Sequence, residues 1–256
     1  MAAIQLLPGP GKRQRGEQRV KYLYCLTSLL ASVDALPPGL GGRQVQQVSC
    51  HSLSALVSDI DTAHLVGNAS NALVHHAVVQ AALQRSAAVM PCRFGTLLAD
   101  EEQLLTLFRT HYAVLAAELA RLRDKLEVGV QAIFSGSTAE TEPALGAEGL
   151  TPGTRYLLVK KRHSEARRAV CDQAERCAQA LNAATTPWWA EVQAQQRHLD
   201  QGLLLSLCYL VPRHQVAAFR HTYEQFRSRS PQLKLLYTGP WPPYSFTAID
   251  LRPGER

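Results

Sequence analysis

The apolar and polar positions of the chain follow two rhythms, one of period two and one of period three to four, and they change over often. Val20 to Thr27 (VKYLYCLT) is rich in β-branched and aromatic residues and predicts a strand. Pro37-Pro38-Gly39 with Gly41-Gly42 marks a turn, and Val45 to Cys50 and Leu53 to Ser58 follow as two short strands. Asn68 is placed to cap a helix reaching about Gln84, with Leu73, Ala77 and Ala81 along one face. Val89 to Phe94 is extended, because the residue before Pro91 is driven away from helical angles. Asp100 caps a second helix to about Arg123, in which Leu104, Phe108, Tyr112, Leu115, Leu119 and Leu122 recur every three or four positions. Glu101 and Glu102 in its first turn, and Arg121 and Arg123 at its end, suit the helix dipole.

The second half opens on a strand, Leu126 to Phe134, followed by Ser135 to Gly153, which has no periodicity and reads as a long surface loop. A helix from about Thr154 to Ala183 turns Ala166, Val170, Ala174, Cys177 and Leu181 inward. Trp188 to His198 fits a strand or a helix, whereas Leu203 to Val211 is a buried strand. A helix from Pro212 to about Arg229 buries Val216, Phe219, Tyr223 and Phe226, and Leu233 to Thr238 closes the order as a strand. With Trp188 to His198 taken as a strand, the half reads β-α-β-β-α-β, the split βαβ or ferredoxin-like order. The first half reads β-β-β-α-β-α. The expected fold class is therefore α+β in two domains, a mixed α+β domain over 20–124 and a ferredoxin-like domain over 125–251. A flexible basic tail (1–19) and a short tail (252–256) flank them.

Composition adds limits. The 256 residues are 46% hydrophobic and 19% charged, which excludes wholesale disorder. The six cysteines contain no CxxC pair, which argues against a zinc knuckle or a thioredoxin-type centre and for reduced thiols in a cytoplasmic protein. The basic residues near the start follow the apolar stretch, the reverse of a secretory signal, and the longest apolar run, Leu203 to Val211, is far short of the roughly 20 residues of a membrane span. The net charge of +6 is local: residues 12–21 hold five cations against Glu17, and residues 155–176 hold seven against three acids.

Catalytic patterns fail one by one. Gly9 to Lys12 (GPGK) lacks the earlier glycine and the following Ser or Thr of a phosphate loop. Asp59 and Asp61 form a DxD pair without a third acid, which fits a turn at a strand end better than a cation site. His75 and His76 are neighbours on a helix and point about 100° apart, so they do not share a metal. No catalytic residue, cofactor or metal is expected.

One segment stands apart. Gly239 to Phe246 reads GPWPPYSF, where Pro240, Pro242 and Pro243 fix φ, remove three donors and forbid a continuing helix or central strand. The expected result is a stiff knuckle carrying Trp241, Tyr244 and Phe246, suited either to binding or to plugging a seam between domains. This segment resembles the signature of the gas vesicle protein F/L family (GvpL/GvpF). Pro91-Cys92-Arg93-Phe94-Gly95-Thr96-Leu97 is similar to that family's PxRFGT segment, and Val20 to Leu26, Leu53 to Ser58, Lys125 to Val130 and Cys208 to Val211 resemble its strands, in the family's order over about residues 20–250. The basic tail and the Ser135 to Gly153 loop look particular to this chain.

The resemblance implies a non-enzymatic accessory protein of gas vesicle formation, associated with gas vesicles in the cytoplasm. Its implied partners are the small hydrophobic shell protein and other accessory proteins, with no nucleic acid and no membrane span. The motif residues Arg93, Phe94, Gly95, Thr96, Gly239, Pro240, Trp241, Pro242, Pro243, Tyr244 and Phe246 become the partner-binding candidates. Arg93, set among apolar neighbours, is expected to pair with a carboxylate or with carbonyls that order the Phe94-Gly95 turn. Two rival readings stand beside this one: a nucleic-acid module resting on the basic helix, and a small-molecule sensor.

Overall fold

The structure, a computed structural model, describes residues 19–61, 67–135, 151–199 and 202–247. The tails expected at 1–19 (bar Arg19) and 252–256, and most of the 135–153 loop, lie outside the described residues. The chain divides into two compact units: one runs to Glu127 and resumes at Trp241, and the other is Val128–Pro240.

In the first unit, β1 (Arg19–Ser28) takes the middle of a sheet because its residues from Tyr22 to Thr27 are all buried. With β2 (Gln46–Cys50), β3 (Leu53–Asp61) and β4 (Val89–Pro91) it forms the order β2-β3-β1-β4, and β5 (Leu97–Leu98) also pairs with β1. All these pairings are antiparallel, and a bulge falls in β1 between Leu23 and Cys25. Helices α1 (Ala69–Arg85) and α2 (Glu101–Leu122) pack against the sheet. Asn68 and Asp100 cap them as expected, each accepting a backbone N–H at 2.8 Å, from Asn71 and Gln103.

The stripe expected on α2 is the buried one, with Tyr112 half-buried at its margin. On α1 the expectation fails. Leu73 is 69% exposed and Ala77 is exposed, while His75, Val78, Val79, Ala82 and Leu83 face inward. The inward face is still helical in spacing, but it starts on a histidine. Four of the five inward residues are apolar, so α1 offers two apolar stripes and the one through Leu73 and Ala77 is the outer.

The second unit contains most of β6 (Lys125–Ser135), then α3 (Pro152–Thr185), β7 (Glu191–Leu199), β8 (Gly202–Pro212), α4 (Val216–Arg229) and most of β9 (Lys234–Trp241), with strand order β7-β8-β6-β9. The ambiguous Trp188 to His198 segment is a strand from Glu191, paired antiparallel with β8 along its length, while Trp188 sits in a 3-10 turn. Alternate residues of β6 and β8, such as Val130, Phe134, Leu205 and Tyr209, meet Ala174, Cys177 and Leu181 of α3 and Phe219 and Tyr223 of α4. Ala166, expected inward, is exposed. β9 extends three residues beyond the expected Thr238, through Pro240 to Trp241. The strand lies at the sheet edge, where a missing N–H removes no ladder bond on the open side. The fold is α+β, with antiparallel sheets and four α-helices among the described residues.

Candidate functional site

Tyr22 and Tyr24 alternate along β1, so both rings fall on one face, 4.8 Å apart and fully buried. His75 of α1 is inserted beside them. Its Nδ1 is 2.8 Å from the Tyr22 hydroxyl and its Nε2 is 3.1 Å from the Cys92 carbonyl oxygen. A carbonyl only accepts, so Nε2 carries the proton and Nδ1 accepts the Tyr22 O–H. The Tyr22 oxygen in turn accepts the Gly95 N–H at 3.1 Å. Burial drives the His75 pKa down to about 4; the Cys92 hydrogen bond opposes that and the neighbouring His76 adds to it. Burial also raises the Tyr22 phenol.

The relay fixes the Arg93–Thr96 turn. Thr96 donates both its N–H (3.2 Å) and its hydroxyl (2.8 Å) to the Arg93 carbonyl oxygen. Gly95, at φ 89°, occupies the left-handed region that glycine tolerates. The Leu23 N–H donates to Thr96 O at 3.0 Å and the Cys92 N–H to Tyr24 O at 2.9 Å, so both flanks are stitched to β1. The Phe94 ring meets His75 edge-on at 6.0 Å. The expectation for Arg93 is not met: it is exposed, and no described carboxylate or carbonyl pairs with its guanidinium. Thr96 supplies the order expected of it, which leaves the Arg93 charge in solvent.

The last described segment packs on the same helix. Trp241 stands edge-on to the His76 ring at 5.4 Å, and Tyr244 stacks on His76 at 6.1 Å. Pro242, Pro243 and Phe246 are buried, Tyr244 is half-buried with its phenol raised by burial, and Trp241 remains 41% exposed. Gly239, at φ 104°, and Pro240 precede them on β9. A buried carboxylate clamps the turn: Glu127 accepts the Ser245 N–H on Oε2 and the Ser245 hydroxyl on Oε1, both at 2.7 Å. Arg121 donates to the Phe246 carbonyl at 2.7 Å, and the Thr247 hydroxyl donates to Pro91 O at 3.2 Å, which ties this segment to the first motif.

The result is an aromatic face on α1, with Phe94, Trp241 and Tyr244 around the two histidines. Its chemistry is apolar contact with a polar edge. Asp59 lies within β3 rather than at a turn and pairs with Lys21 at 3.0 Å. Among the described residues no group of three or more His, Cys, Asp or Glu could hold a metal ion, and no helix is long and apolar enough to cross a membrane. Sequence reasoning missed His75, Tyr22 and Glu127. Glu127 did carry a signal, a carboxylate inside an otherwise apolar strand (LEVGV).

Known proteins resemble this chain over most of its length. At the level of fold, the chain is similar to the crystal structure of the gas vesicle protein GvpF from Anabaena, with a TM-score of 0.76 at 19% identity over 91% of this chain and 99% of that one. GvpF from Microcystis aeruginosa gives a TM-score of 0.72 at 17% identity, over 90% and 99%. In sequence, it is 25% identical over 226 residues to gas vesicle protein F2 of Halobacterium salinarum, covering 88% of both chains. It is 24% identical over 214 residues to gas vesicle protein F of Haloferax mediterranei, covering 82% of this chain and 85% of that one. The sequence model of the gas vesicle synthesis proteins GvpL/GvpF matches residues 20–248. Spanning both motifs and every strand that frames them, that match establishes that the chain belongs to the gas vesicle synthesis protein GvpL/GvpF family.

Proposed function

We propose that this chain, whose family gives it a role in gas vesicle formation, acts there by binding the small hydrophobic shell protein through the aromatic face of its first unit. The family is one of gas vesicle accessory proteins and not a known enzyme family. One observation carries the reading: Trp241 is 41% exposed while Pro242, Pro243 and Phe246 around it are buried. A large aromatic held out to solvent by a fixed base loses little entropy when it is covered. A shell subunit that lines gas must expose apolar surface before assembly, and such surface needs cover. Phe94, Tyr244 and the exposed Arg93 extend the contact face. Gly95, Thr96, Pro242, Pro243 and Phe246 shape it, and Gly239 and Pro240 lead the chain into Trp241.

The proposal includes two domains with a boundary near Lys125 and a ferredoxin-like second domain. The order β7-β8-β6-β9, with α3 and α4 covering one face, supports it. Other accessory proteins are proposed as further partners.

Co-expression of a tagged copy with the cognate shell protein tests the reading. Recovery is expected to survive high salt, and Trp241→Ala is expected to cut it about tenfold, a loss of about 1.4 kcal/mol of binding, with the thermal transition unchanged. A collapsed transition would assign Trp241 to packing instead, and undiminished recovery would remove the face from the binding surface.

A further inference from the structure

Helix α3 outruns the core that it covers. Its 34 residues span about 50 Å at the helical rise per residue, and its buried side chains begin only at Ala174, with Val170 at the margin. Every described side chain from Thr151 to Ala169 is exposed. Within that stretch Tyr156, Leu157, Leu158 and Val159 are 64%, 64%, 41% and 47% exposed. Four consecutive apolar residues make a turn that is apolar on every side, and such a turn belongs in an interior.

The charges around it are ordered. Counting back from Val170 by threes and fours gives Ala166, His163, Val159 and Tyr156, so the face that covers the sheet continues as an open stripe. At about 100° per residue, Lys160 and Arg167 fall on one flank of the stripe and Arg162 on the other. Lys160 also lies over the Tyr156 ring, 6.0 Å from its centre. Among the described residues only Lys161 of this basic run has a carboxylate, Glu165 at 3.8 Å.

We propose that the first half of α3 is a docking surface for an acidic amphipathic helix of a partner protein. Its apolar side seats on Tyr156 and Val159, and its carboxylates meet Lys160, Arg162 and Arg167. Opposite charges on both flanks of an apolar stripe fix the register of such a helix and exclude basic competitors. A nucleic acid would use the cations but leave Tyr156 and Val159 uncovered. The surface belongs to the second unit and does not involve Trp241, so it stands or falls separately from the shell-protein reading.

The test uses the full chain and a fluorescent peptide of about 18 residues, with leucines at helical spacing flanked by glutamates, beside a scrambled peptide of equal composition. Saturable binding of the patterned peptide alone is expected. Paired Tyr156→Ser and Val159→Ser, and separately Lys160→Glu with Arg167→Glu, are each expected to weaken it at least about tenfold, with circular dichroism and melting temperature unchanged. Trp241→Ala is expected to leave it intact. Equal affinity for the scrambled peptide, or indifference to the serine pair, overturns the proposal. So does tighter binding of duplex DNA or phosphatidylserine vesicles that depends on the same cations, or a self-association in sedimentation that the serine pair abolishes.

Discussion

The buried histidine gives the sharpest prediction. His75 is 3% exposed, and its pKa is lowered from 6.5 to about 4, chiefly because burial disfavours the charged ring. Geometry supports the direction. Nδ1 already accepts the Tyr22 O–H, and the Tyr22 oxygen already accepts the Gly95 N–H, so a proton on Nδ1 would face a donor that cannot turn without abandoning the turn. In the unfolded chain the ring titrates near its ordinary value. Between the two pKa values the unfolded state binds more protons, so stability rises with pH there. The contribution is fully present above about pH 6.5 and is lost as the pH falls toward 4. With one pKa unit worth about 1.4 kcal/mol, the loss between pH 8 and pH 5 comes to about 2 kcal/mol, and to about 3 kcal/mol near pH 4.

Urea unfolding of the wild type and of His75→Gln at pH 8 and pH 5 isolates this contribution, since every other titrating group is common to both. Glutamine keeps an N–H donor for the Cys92 carbonyl but does not titrate, so the variant is expected to be less stable at pH 8 and to lose about 2 kcal/mol less than the wild type on acidification. Parallel behaviour of the two proteins across that range would refute the argument and place a solvated or already charged ring at position 75.

Two further substitutions probe the supports of the aromatic face. Gly95→Ala meets nothing within 4 Å, so its cost is that of a side chain at φ 89° alone, expected at about 1–2 kcal/mol by denaturant unfolding. Glu127→Gln keeps the shape but leaves one carboxylate acceptor short for Ser245, and is expected to cost about 1–3 kcal/mol and to speed hydrogen exchange of the Ser245 amide.

Much of the fold was legible because it rests on local rules. The caps at Asn68 and Asp100, the stripe of α2 and the alternation of β8 are each written in a few neighbouring residues. What was not legible rests on distant partners. The inward face of α1 begins on His75, which is drawn in by hydrogen bonds to β1 and to Cys92, and nothing within α1 announces either. The Trp188 to His198 segment became a strand because β8 offered it a full ladder, since β7 residues from Gln193 onward are exposed and carry no pattern of their own. Arg93 failed for the opposite reason: its neighbours are apolar in sequence, but the turn they build directs it outward.

The two family motifs therefore divide by task rather than by position. Gly95 and Thr96 set a turn, and Pro242, Pro243 and Phe246 fill the base beneath Trp241. On the proposed reading, in which this face meets an apolar partner without joining a permanent aggregate, the division serves capture. Buried Pro242, Pro243 and Phe246 leave Trp241 as the large apolar side chain exposed in that segment. Tyr22, His75 and Glu127 support the two motifs through neutral or fully hydrogen-bonded groups, so the aromatic side chains above them are presented in one arrangement. On the proposed reading, the substitutions that damage assembly should fall into two sets. Changes at Trp241 or Phe94 would weaken capture in a stable protein, and changes at His75 or Glu127 would weaken capture and stability together.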